Sequence, residues 1–160
     1  MELLGVRLEL PANAPVVLLR EHGGGRRVLP IYIGPEEAKA IALALDGVST
    51  PRPMTHDLMR DLLVALGASV QRVVLTELRD YTFFAEVELT LSGRVHRVSS
   101  RPSDAIALAV RVEAAIFATD EVLDDAGTRA VDGQPEEQQD QIVDEFRQFI
   151  EHVNPEDFSG

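Results

Sequence analysis

The stretch Ser99-Ser100-Arg101-Pro102-Ser103-Asp104-Ala105-Ile106-Ala107-Leu108-Ala109-Val110-Arg111 constrains this chain more than any other. It reads as the end of a strand, a sharp turn and a helix of small apolar residues. Pro102 suits the first helical position, where its missing N–H has no intrahelical partner to lose. Ser103 and Asp104 then place a hydroxyl and a negative charge on the first turn, beside free N–H groups and the positive end of the helix dipole. Behind them the helix is almost wholly Ala, Ile, Leu and Val. A helix apolar nearly all round must be covered on every side, so the rest of the chain has to build layers about it. The helix body is a structural pin; its polar mouth is where chemistry could sit.

The covering layers are legible in the periodicity. Leu4, Val6, Leu8 and Leu10 alternate with Gly5, Arg7 and Glu9, the two-residue period of a half-buried strand. Val16 to Arg20 and Arg26 to Ile33 predict two more strands, joined by Gly23-Gly24-Gly25. That triplet is a hairpin turn rather than a phosphate loop, because a strand and not a helix follows it. Pro35-Glu36-Glu37 opens a helix to about Leu45, closed by Gly47. After the stiff loop Thr50-Pro51-Arg52-Pro53, Thr55 caps a second helix, with Leu58, Leu62, Leu63 and Leu66 expected to face inward. Val70–Arg79, Phe83–Leu91 and Arg94–Ser99 predict three strands, the last two joined at Ser92-Gly93. Ala115–Thr119 is a short buried strand, and Asp120 is expected to cap a brief helix ending at Gly127. The order implies an α+β fold, a mixed or antiparallel sheet packed with helices, in a single compact domain. Two passages, Leu3–Leu45 and Val70–Val112, each run from strands into helix and hint at a structural echo.

Composition divides the chain further. Residues 128–160 hold nine acids and two bases, a net −7, which leaves −5 for residues 1–127 out of −12 overall. The expected organisation is a body over 1–127, a linker over 128–135 and an acidic amphipathic helix and tail over 136–160. In that helix Ile142, Val143, Phe146, Phe149, Ile150 and Val153 share one side. An acidic body gathers neither nucleic acid nor anionic membrane by its bulk field. The chain has no Cys, hence no disulfide, thiolate metal site or Cys nucleophile. Its first residues carry no signal-peptide pattern, and no apolar run reaches spanning length, so cytoplasmic residence is the expectation.

Candidate chemistry concentrates at three helix starts: Glu36-Glu37, His56-Asp57 and Ser103-Asp104, the last preceded by Arg101. Taken singly, acids at helix N-termini stabilise the helix by about 0.3–1 kcal/mol and need no further role. Function requires convergence. Carboxylates meeting at one cleft can hold a divalent cation through oxygen ligands, which polarises a phosphodiester and activates water. Arginines such as Arg101 or Arg52 can clamp phosphate, and His56 can carry a proton. Tyr32 and Tyr81 offer rings to bases, but with aromatics at 5% core packing or a sheet surface is the expected place for both.

Three segments carry a resemblance: Leu29-Pro30-Ile31-Tyr32-Ile33-Gly34 with Glu37-Ala38 and Ala40-Ile41-Ala42; Pro51-Arg52-Pro53-Met54-Thr55-His56-Asp57-Leu58; and Ser100-Arg101-Pro102-Ser103-Asp104-Ala105-Ile106-Ala107-Leu108-Ala109. In this order they resemble the bifunctional nuclease family of small bacterial proteins and their plant relatives. The resemblance implies an α+β fold, a homodimer, and cleavage of both DNA and RNA. Glu37, Thr55, His56, Asp57, Arg101, Ser103 and Asp104 fall on the matching motifs. The expectation is a metal-assisted nuclease. Glu37, Asp57 and Asp104 would share one Mg or Mn ion, His56 would carry the proton, and Arg101 would hold the scissile phosphate with Arg52 as a second phosphate contact. Ser103 is the remaining catalytic candidate. The alternative is a non-enzymatic dimeric regulatory module, in which the helix starts are only capped and the acidic tail helix recruits a partner.

Overall fold

A computed structural model describes residues 1–9 and 13–129. The predicted C-terminal helix and tail over 136–160, and all of the predicted linker but its first two residues, lie outside that range.

The first passage folds as three strands, β1 (Glu2–Glu9), β2 (Ala14–Arg20) and β3 (Arg27–Tyr32), followed by α1 (Pro35–Leu45). The loop after α1 leads to α2 (Thr55–Ala65). The second passage repeats the plan with β4 (Ser69–Arg79), β5 (Thr82–Leu91), β6 (Arg94–Ser100) and α3 (Pro102–Val112), then adds β7 (Ala115–Ala118), α4 (Asp120–Ala126) and β8 (Thr128–Arg129). The strands form two sheets rather than one. One sheet has the order β1-β2-β3-β8 and the other β6-β5-β4-β7. All pairings are antiparallel except β4 with β7, which makes the second sheet mixed. The anticipated echo is visible as two antiparallel three-strand meanders, each leading into a helix.

The helices lie between and against these sheets. α1 packs on β1 and β2, α3 on β4, β5 and β7, and the two helices pack on each other. Ala105, Ile106, Ala107, Leu108 and Ala109 of α3 are all buried, as its composition requires. Their small side chains let α1 approach, and one core runs from Val17, Leu19 and Leu29 through Ile41 and Ile106 to Val73 and Leu75. Burying side chains of this size contributes roughly 1.5–3 kcal/mol each.

Three local expectations are corrected. Leu58, Leu62 and Leu66 of α2 do not face inward: all three are exposed, and His56 is the one buried residue of that helix. Of the expected stripe only Leu63 packs against the core, while the polar first turn of α2 reaches α3 through His56 and Asp57. Second, the cap of α4 is Thr119, whose Oγ1 accepts a hydrogen bond from the Val122 N–H, and Asp120 is already helical. Third, Thr128 and Arg129 belong to the first sheet, pairing with Val28 and Arg27 of β3, so the body reaches past residue 127.

A candidate cleft beside three linked helix starts

The N-termini of α1 and α3 adjoin because the helices pack side by side, and the first turn of α2 lies across α3. Each helix start places its polar residues accordingly. Asp104, in the first turn of α3, accepts a hydrogen bond at Oδ1 from His56 Nε2 of α2 at 3.0 Å. It also receives a two-pronged contact from Arg101, Nε to Oδ2 at 2.6 Å and Nη2 to Oδ1 at 3.1 Å. The third nitrogen of Arg101, Nη1, reaches Glu37 Oε1 of α1 at 3.0 Å. The result is a chain His56–Asp104–Arg101–Glu37 that stitches three helix starts together. Burial pushes the Asp104 carboxyl up, but the hydrogen bonds from Arg101 and His56 outweigh it and hold the group below the ordinary carboxylate value. Asp104 is therefore ionised at neutral pH, and Nε2 is the protonated, donating nitrogen of His56.

Two backbone features make the arrangement fit. Pro102 and Pro35 occupy first helical positions, so neither helix start loses a donor. Gly34 precedes Pro35, and the Glu37 carboxylate folds back against it; a Cβ at Gly34 would collide with Glu37 Oε2. A side chain there would push the Glu37 carboxylate aside.

Arg101 is 66% exposed and stands on the wall of an open cleft of about 310 Å³. Glu37, Pro102 and Ser103 share that wall, and Tyr32, Tyr81 and Phe83 line the remainder. Ser103 is buried, with His56 one of the two buried polar residues among the described ones. His56 itself does not line the cleft; it lies behind Asp104 with its Nε2 committed.

The deciding comparison is with known sequences. The model of the bifunctional nuclease domain matches residues 17–130, which takes in all three helix starts and the cleft. The chain belongs to the bifunctional nuclease domain family. It is 44% identical to an uncharacterized protein of Mycobacterium tuberculosis, over 100% of this chain and 98% of that one. It is 31% identical to bifunctional nuclease 2 of Arabidopsis thaliana, over 77% of this chain, and 25% identical to bifunctional nuclease 1 of rice, over 81%. The chain spans about two fifths of the length of these plant relatives.

Within this bifunctional nuclease domain the expected site residues divide. Glu37, His56, Arg101, Ser103 and Asp104 come together. Asp57 does not join them. α2 sends His56 toward the start of α3 and Asp57 toward its last turn, where Asp57 Oδ1 accepts from Arg111 Nε at 2.6 Å. Asp57 Oδ2 accepts from the Met54 N–H at 3.0 Å and so caps its own helix. Burial raises this carboxyl as well, and the Arg111 and Met54 hydrogen bonds bring it below its ordinary value. Seven residues separate Asp104 from Arg111, roughly 10 Å along the helix axis. The expected trio Glu37, Asp57 and Asp104 is accordingly not assembled: among the described residues no three His, Asp or Glu side chains form a group that could hold a metal ion. Arg52 is exposed in the loop before α2 and lines no part of the cleft.

Two features escaped the sequence reading. Arg111 reads as a basic residue at a helix C-terminus, where it complements the dipole; its ion pair with a residue 54 positions earlier left no local signal. Of Tyr32 and Tyr81, expected in the core or on a sheet surface, Tyr32 does lie exposed on the sheet surface at the end of β3, whereas Tyr81 is 99% exposed in the β4–β5 turn, and both line the cleft. For Tyr81 a signal existed: Asp80-Tyr81 is a two-residue hairpin loop with an aromatic where Gly is usual.

Proposed function

We propose that this chain is a nuclease that hydrolyses phosphodiester bonds of both DNA and RNA at the Arg101 cleft. One observation carries the reading: a solvent-open guanidinium, flanked by two carboxylates, faces a cleft walled by the starts of α1 and α3. Arg is the side chain best matched to phosphate oxygens, and a preoriented donor stabilises the charge that builds on phosphorus oxygens in the transition state. Family membership and the names of the plant relatives point to the same chemistry.

In this reading Arg101 takes the non-bridging oxygens of the scissile phosphate and Ser103 donates its hydroxyl to the same group. Engagement of Arg101 by phosphate loosens its pair with Glu37, which then accepts the proton of the attacking water. Water is the nucleophile common to both substrates, because DNA has no 2′-hydroxyl. A bond forms from water oxygen to phosphorus, the bond to the leaving sugar oxygen breaks, and that oxygen collects its proton from Glu37 or solvent. His56 is a positioning residue: it holds Asp104, which holds Arg101. Asp57 and Arg52 take no chemical step. Glu37, Asp57 and Asp104 do not cage an ion, so a divalent cation, Mg or Mn, would have to be carried by the nucleic-acid phosphates, where it would supply charge neutralisation. Homodimer formation and cytoplasmic residence belong to the same proposal; no helix among the described residues is long and apolar enough to cross a membrane.

The test is cleavage of single-stranded DNA and RNA by purified wild type, Arg101→Ala and Glu37→Gln, each with and without EDTA. Both variants should lose about 100-fold or more, the scale of removing one transition-state donor. Undiminished cleavage by both would place the chemistry elsewhere. A second reading, a non-enzymatic dimeric module, draws on the exposed Leu58, Leu62 and Leu66 face of α2; it predicts no cleavage by any preparation.

A further inference from the structure

We propose that the cleft beside Arg101 seats one unpaired nucleobase against the rings of Tyr81 and Tyr32, which makes single-stranded nucleic acid the substrate form. The inference rests on the reading that Arg101 engages a phosphodiester, and it adds what lies next to that phosphate.

The first support is the conformation of Tyr81. Arg79 and Thr82 pair across β4 and β5, so Asp80 and Tyr81 form the whole loop. Their φ angles are 49° and 60°. A tight hairpin turn with positive φ at both positions favours Asn-Gly or Asp-Gly, because a Cβ in the left-handed region crowds the backbone. Tyr81 carries that strain and packs almost none of its surface, being 99% exposed. A ring held in an unfavourable conformation, with no burial to offset it, fits a residue that waits for a ligand. The second support is Tyr32. Its hydroxyl donates to Glu9 Oε2, which anchors one end of the ring while its body stays open to the cleft. The third is size. At about 310 Å³ the cleft sits at the low end of ligand sites, suited to a nucleotide unit and too small for a duplex.

Charge points the same way. The body carries a net −5, so its bulk field does not gather the phosphate backbone. Base stacking on aromatic rings supplies affinity without an attracting field and accepts any base, because every base has a π face. In a duplex those faces are already stacked on their neighbours.

The experiment is fluorescence anisotropy with the full chain and three probes of equal length: a single-stranded oligothymidine, its abasic analogue and a duplex. The oligothymidine should bind most tightly, with a shallow salt dependence. Tyr81→Leu should weaken it roughly five- to hundred-fold, to the level of the abasic strand, and Tyr81→Phe should restore it. Tyr81→Gly should raise Tm by roughly 2–4 °C by releasing the left-handed strain while still losing binding, which separates lost recognition from lost folding. Equal binding of oligothymidine and abasic strand, no binding to either, or unchanged binding by Tyr81→Leu overturns the proposal. Base-dependent binding without strand cleavage would retain the stacking site and reject hydrolysis. Cleavage with no base dependence would do the reverse.

Discussion

Two arginine–aspartate pairs sit at opposite ends of α3. Arg101 and Asp104 meet at its start; Arg111 and Asp57 meet at its end. Each has an Nε-to-carboxylate contact of 2.6 Å, and each ties α3 to α2, the first through His56 and the second directly. They differ in what surrounds the guanidinium. Arg101 is 66% exposed and has a second carboxylate beside it; Arg111 is 5% exposed and donates from Nη1 to the Ala107 carbonyl as well. A pair whose guanidinium is buried presents little of it to a substrate, and breaking the pair strands a charge. An exposed pair contributes little to stability but can exchange partners. In the proposed reading one chemistry serves as brace at Arg111 and as reactive group at Arg101, with solvent access the difference between them.

The largest separation should come from Arg101→Ala, which removes a transition-state donor worth about 100- to 1,000-fold in rate. Its Tm should stay within ~4 °C of wild type, since exposed ion pairs contribute at most about 1 kcal/mol. Strand cleavage and calorimetry on the same preparation check both halves. Arg111→Ala should do the opposite. Removing one partner of a buried pair costs about 3–5 kcal/mol. Asp57 keeps partial solvent access, so a loss of roughly 2–3 kcal/mol and a fall in Tm of roughly 5–10 °C are expected. Cleavage at a temperature where the variant is folded should persist.

Acid sharpens the contrast. The folded Asp57 carboxyl titrates below its unfolded value. Its contribution to stability is complete above about pH 4 and fades as pH falls through the lower, folded value. Unfolding by urea between pH 5 and 2 should show wild-type stability falling with a steeper slope than that of Asp57→Asn. The smallest expected effect is on the exposed stripe of α2. Leu62 is 54% exposed, so Leu62→Glu should shift the stability of the isolated fold by no more than about 0.5 kcal/mol. In a homodimer built on that face it should move the sedimentation coefficient to the monomer value.

What could be read in advance follows from what is local. Strands and helices were legible because period and turn chemistry are properties of neighbouring residues, and the burial of α3 followed from its having no polar side to expose. The stripe of α2 misled, because apolar spacing says that a face is apolar and not which surface meets it. Glu37, His56 and Asp104 were legible as helix-start residues on family motifs. Their linkage through Arg101 was not, since it depends on how α1 and α2 cross α3. Asp57 was assigned to the wrong group because adjacent residues on a helix point about 100° apart. Tyr81 is legible as a ring that could meet a base, but its place beside Arg101 is not, because aromatic content over the whole chain says nothing about one turn.

The sharpest single measurement compares Arg101→Lys with Arg111→Lys, both folded at the assay temperature, in cleavage of one single-stranded oligonucleotide. Lys preserves the charge in each pair but loses the planar fork. Arg101→Lys should fall at least ten-fold while Arg111→Lys keeps at least half of wild-type activity. Equal losses, or the reverse order, would contradict the assignment of the open pair to catalysis and the closed pair to structure.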